Sequence, residues 1–142
     1  MYVDKAGMIA RYGEAKLIQL TDRGTPATGA IVDAVLEAAL ADAAATIHGY
    51  ARSAGYAVPF APAPDMVAGW QAAIALYCLY RDDATDKATA DWQAAIAQLK
   101  DLAAGRIVLQ AAGAVAPAPA EGATILYDAP GRIMTGHSLE GF

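Results

Sequence analysis

Large apolar residues recur through the first hundred positions at steps of three and four, the period of a helix packed on one side. Met8, Ile9 and Tyr12 form the face of a first short helix, with Asp4 placed to cap its start and Gly13 its end. A second short helix or turn follows over Glu14–Leu20, where Leu17, Ile18 and Leu20 are apolar. Thr21-Asp22-Arg23-Gly24-Thr25-Pro26 is a loop by composition. The longest stripe runs through Val32, Val35, Leu36, Ala39, Leu40, Ala43, Ile47 and Tyr50, and predicts a helix over Ile31–Ser53 that Gly55 ends. Pro59, Pro62 and Pro64 make Tyr56–Pro64 an extended connector, because a residue before proline is pushed out of the helical region. Asp65 restarts a helix whose expected buried side is Val67, Trp70, Ile74, Tyr77 and Cys78, and Asp82 and Asp83 end it. Thr85 is placed to cap a last helix, where Ala88, Trp92, Ile96, Leu99 and Ala103 repeat. Gly105 stops that helix, and Arg106–Leu109 is expected as a short strand.

These elements predict an all-α fold: a small bundle of two long helices, one central aromatic-rich helix and short N-terminal helices. The pattern then changes. An Ala/Pro/Gly run over Ala111–Ala123 leads into a short segment that carries Ile125, Leu126, Tyr127, Arg132, Ile133, Met134, Leu139 and Phe142. The chain therefore divides into a helical domain, 1–109, and a linker with an extended C-terminal interaction arm, 110–142. A small domain does not need such a tail for its own core, so those eight residues are the candidate protein-interaction site.

A chain of 142 residues with a 56% hydrophobic fraction can hold one core without staples, although alanine inflates that fraction. The net charge of −5 argues against a nucleic-acid-binding domain, which needs a basic patch. It is compatible with a surface that DNA passes without adhering. One cysteine, Cys78, excludes an intrachain disulfide and reads as a small buried hydrophobe. The N-terminus lacks a signal-peptide core, and the apolar run Met66–Tyr80 is shorter than the ~20 residues of a membrane span. The expectation is a soluble protein made in the cytoplasm.

Catalytic signatures are missing. The chain has no phosphate-binding glycine loop, no nucleophile elbow and no zinc-protease motif. His48 and His137 lack the neighbouring donors of a metal site, with His48 expected partly exposed on its helix. Asp82, Asp83 and Asp86 read as a solvated helix end, and Trp70, Trp92 and Tyr77 as ordinary core with Tyr80 nearer the surface. No catalytic residue, cofactor or metal is expected.

Several segments taken together resemble a known family. They are Ile9-Ala10-Arg11-Tyr12-Gly13 with Leu17-Ile18-Gln19-Leu20-Thr21-Asp22-Arg23, then Val35 to Ala43 leading to Ile47-His48-Gly49-Tyr50, and Tyr56-Ala57-Val58-Pro59-Phe60. They continue with Ile74 to Tyr80, Trp92 to Leu99 and Ala104-Gly105-Arg106, and close with Arg132-Ile133-Met134-Thr135 and Ser138-Leu139-Glu140-Gly141-Phe142. In order and spacing the chain resembles the Mu-like phage and prophage family of small head–tail connector, or adaptor, proteins. The resemblance implies a structural virion protein of the neck. Such adaptors form a ring, typically twelve-fold, beneath the portal protein, join the head to a stopper or tail-completion protein, and let DNA pass through the lumen. From the residues alone a second reading stays open: a small helical binding or regulatory module with the tail as a lid.

Overall fold

The computed structural model describes residues 1–110. Among them it is all-α, with five helices and no strand: α1 Lys5–Tyr12, α2 Glu14–Thr21, α3 Asp33–Ser53, α4 Asp65–Tyr80 and α5 Asp86–Ala103. The expected ends of these helices are close to those found, and local chemistry explains why. The Asp4 carboxylate accepts from the Gly7 N–H at 2.8 Å and so satisfies one free donor at the start of α1. The Thr85 hydroxyl accepts from the Ala88 N–H at 3.2 Å and does the same for α5.

Two helices close with the same C-terminal motif. At the end of α3, Tyr56 N–H donates to the Ala51 carbonyl at 2.9 Å and Gly55 N–H to the Arg52 carbonyl at 3.0 Å. At the end of α5, Arg106 N–H donates to the Asp101 carbonyl at 2.8 Å and Gly105 N–H to the Leu102 carbonyl at 3.0 Å. Both arrangements need a left-handed residue, and Gly55 (φ 84°) and Gly105 (φ 74°) supply it. The second motif corrects the expected strand: Arg106–Leu109 is irregular, because its first amides turn back to close α5.

α3 begins at Asp33, two residues later than the apolar pattern placed it. Ile31 is buried in the core ahead of the helix. There the Val32 N–H donates to the Thr21 hydroxyl at 3.0 Å, which in turn donates to the Leu17 carbonyl at 2.8 Å.

α3, α4 and α5 all pack against one another, and α1–α2 form a small hairpin of helices laid against α3 and α4. One core runs from Val3 to Leu109, and Met8, Leu17, Leu36, Leu40, Ile47, Val67, Leu99 and Leu102 are essentially fully buried in it. The connector Tyr56–Pro64 is not a helix, as its prolines required, and it drives Tyr56 and Phe60 into the core. The Tyr56 hydroxyl accepts from the Leu109 N–H at 3.1 Å, tying the end of the described body to the end of α3. No helix of the described residues is long and apolar enough to cross a membrane.

Candidate interaction surface

The eight arm residues, Ile125, Leu126, Tyr127, Arg132, Ile133, Met134, Leu139 and Phe142, lie outside the described residues, as does His137. What the structure does describe is the body on which an arm would act, and that body has two sides of contrasting construction about α4.

Towards α3 and the N-terminus, the middle of α4 is sealed by a polar clasp. Gln71 is fully buried. Its Oε1 accepts from the Tyr2 N–H at 2.7 Å and the Val3 N–H at 2.8 Å. Its Nε2 donates to the Leu40 carbonyl of α3 at 2.8 Å. Each amide atom meets the partner its chemistry requires, so burial leaves none of them orphaned. Tyr2 extends the clasp: its hydroxyl accepts from the Phe60 N–H at 3.2 Å and bonds His48 Nε2 at 2.6 Å. His48 sits half-buried on α3, as expected of it, and its pKa is lowered from 6.5, first by burial, then by Arg52 and the N-terminal ammonium. Neutral His48 with its proton on Nδ1 is the form whose Nε2 accepts the hydrogen bond from the Tyr2 hydroxyl.

Towards α5 the packing is open. A groove of about 590 Å³ runs between the N-terminal half of α4 and the middle of α5. Met66, Gly69, Trp70 and Ala73 line it from α4, and Ala94, Ala95 and Gln98 from α5. Asp65, Asp91 and Tyr12 complete the wall. Trp70 is buried, and its indole N–H donates to Gln98 Oε1 at 2.6 Å, which holds the floor. Met66 is 48% exposed, one of the few large apolar side chains of the described body left in solvent. A side chain built at Gly69 would meet nothing within 4 Å. The groove exists because small residues face each other where α4 and α5 cross.

A smaller groove of about 340 Å³ lies between α3 and the far end of α4, lined by Ala34, Val35, Ala38, Asp42, Cys78 and Arg81 among others. Cys78 is exposed there, not buried, which corrects its expected core role. Partial desolvation of the sulfur by the groove wall, then Asp42, push its thiol above its ordinary pKa, which disfavours the nucleophilic thiolate. Tyr77, placed with it on the buried side, is half-buried and stacks on Trp92 with ring centroids 4.5 Å apart and 13° between planes. Trp70 is core as expected, and Tyr80 lies half-exposed beneath the Lys16 ammonium.

Asp82, Asp83 and Asp86 are exposed at the α4–α5 turn. Among the described residues no three His, Cys, Asp or Glu side chains are grouped to hold a metal ion. The sequence pattern had not marked Gln71, Gly69 or the groove; its one signal was a lone amide inside the apolar run Met66–Tyr80.

The described residues define the class: a small acidic all-α protein with an open apolar groove between α4 and α5. The particular family follows from comparison. The chain matches the model of the Bacteriophage Mu, Gp36 family over residues 2–126, and it belongs to that family. No curated protein matches it.

Proposed function

We propose that this phage protein is a structural component of the virion neck, a head–tail adaptor that forms a ring under the portal, joins capsid to stopper or tail, and carries no catalytic role. The observation that carries the reading is the pairing of a phage Mu family body with a C-terminal segment rich in large apolar side chains. The described helices already share one core that runs from Val3 to Leu109. Ile133, Leu139 and Phe142 are the proposed anchors on an adjacent adaptor, the portal or the stopper. Each large side chain buried there would contribute on the order of 1.5–3 kcal/mol, less the cost of ordering the linker. Ring copies number typically twelve in this reading, and the net charge of −5 keeps DNA from adhering as it passes.

Deleting Ala129–Phe142 tests the reading. The expected result is a body that folds normally and particles whose heads and tails stay apart. Joined, infectious particles would overturn it. Electron cryomicroscopy of intact necks shows directly whether a ring of this chain stands between portal and tail.

A further inference from the structure

We propose that the α4–α5 groove is the receptor for the Arg132-Ile133-Met134 segment of a second copy of this chain, with Arg132 paired to Asp65 at the rim. The inference rests on the adaptor reading for the presence of an adjacent copy. It adds the surface that copy uses.

Shape is the first argument. The groove has small walls, Gly69, Ala73, Ala94 and Ala95, over an aromatic floor at Trp70. Such a trough accepts large flexible side chains, and Ile133 and Met134 are adjacent large ones. Met66 at the edge is unbranched and adaptable, which suits it to closing over an occupant.

Charge is the second argument, and it selects among the apolar parts of the tail. The groove is lined by two carboxylates, Asp65 and Asp91, and by no lysine or arginine. Asp91 already holds the Lys87 ammonium at 2.8 Å, whereas no salt bridge engages Asp65 among the described residues. Beyond Arg106, Arg132 is the only lysine or arginine in the chain, and it stands directly before Ile133 and Met134. Ile125-Leu126-Tyr127 is followed by Asp128 and Leu139 by Glu140, so those segments bring a carboxylate to an acidic rim. The α3–α4 groove lacks this selectivity, because Arg81 lines it together with Asp42.

Reach is the third argument. The residues between Gln110 and Arg132 number 21 and span roughly 70 Å at full extension. A body of this size has a radius of gyration of about 13 Å, so a linker of this length is long enough for the segment to reach past its own body to a neighbour.

The test is a disulfide trap in the full-length chain, with Cys78→Ala removing the native thiol. Met66→Cys and Met134→Cys are introduced together, and both assembled particles and the purified chain are oxidised and run on non-reducing gels. Exchange between copies gives a ladder of covalent multimers, the expected result. Closure within one chain, seen as a faster monomer without a ladder, overturns the proposal and makes the tail a lid. Absence of any cross-link overturns it as well. Gly69→Cys with Ile133→Cys is the second pair if the first disturbs folding, since Gly69 has open space for a side chain.

Asp65→Arg should cut the ladder yield several-fold, and adding Arg132→Asp should restore it. An unchanged yield overturns the Arg132–Asp65 pairing. Cryomicroscopy of the same particles separates the two readings. A ring with no ladder leaves the adaptor standing and sinks the groove, while a neck without this chain sinks the adaptor whatever the gel shows.

Discussion

The two sides of α4 differ in what their residues do when they meet a neighbour. Against α3 and the N-terminal segment, Leu36, Leu40, Ile74 and the Gln71 amide close the middle of the interface, and only the far end of α4 opens into the smaller groove at Cys78. Against α5, Gly69, Ala73 and Ala94 leave a trough that solvent enters. The first side holds the body together. The second contributes less to the fold and leaves apolar surface available for association. One helix therefore serves both purposes by changing residue size around its circumference.

Truncation tests that contrast most strongly. Leu40→Ala, at a site only 1% exposed, should destabilise the body by about 2–5 kcal/mol in denaturant unfolding. Met66→Ala on the groove side should cost under about 0.5 kcal/mol, as exposed positions do. Equal losses at the two sites would erase the distinction.

Next in size is the clasp. Gln71→Leu keeps the volume but strands the Tyr2 and Val3 amides, and should cost about 2–4 kcal/mol. Hydrogen exchange at Val3 should then accelerate more than exchange in α5. Uniform acceleration would mean that Gln71 acts only by packing.

Filling the groove is a smaller effect of opposite sign. Gly69→Leu removes a helix-interior glycine at a position where a Cβ meets nothing within 4 Å, so the body should gain up to about 0.8 kcal/mol. The same variant should lose the inter-copy ladder trapped through Ile133→Cys and Ala94→Cys, because the trough is occupied. A destabilised body would show that the space at Gly69 is needed by the fold itself.

The smallest effect is the pH response of the clasp. His48 has a folded-state pKa below its ordinary 6.5, so the unfolded chain binds the proton more readily. Its contribution is complete above pH 6.5 and is lost as pH falls from there through the lower folded value. His48→Gln keeps an acceptor for the Tyr2 hydroxyl and removes the titration. Unfolding measured at pH 7.5 and pH 5 should show a smaller acid loss in the variant, and matching losses would remove His48 from the account.

Of the five helices among the described residues, the sequence by itself determined four and left the second as a helix or turn. It also gave the Asp4 and Thr85 caps, the Gly13, Gly55 and Gly105 stops, and the C-terminal segment as a candidate for association, because each of these depends on residues close together in the chain. Asp4, Thr85, Gly55 and Gly105 act on amides within five residues of themselves. On α3, a clear apolar stripe against charged residues identified the buried face, and Leu36, Leu40, Ala43 and Ile47 lie on it. On α4 the same logic held only in part. Val67, Trp70 and Ile74 are buried as expected, but that helix is apolar around nearly its whole circumference, so periodicity gave weak direction: Cys78 is exposed and Tyr77 only half-buried against Trp92. Which face of α4 meets α3, that Gln71 clasps the N-terminus 68 and 69 residues away in the chain, and that small residues of α4 and α5 meet to leave a groove were decided only by the tertiary structure. The physical reason is that a uniformly apolar helix gains from burial in any orientation, and only the shapes and polar partners of its neighbours select one.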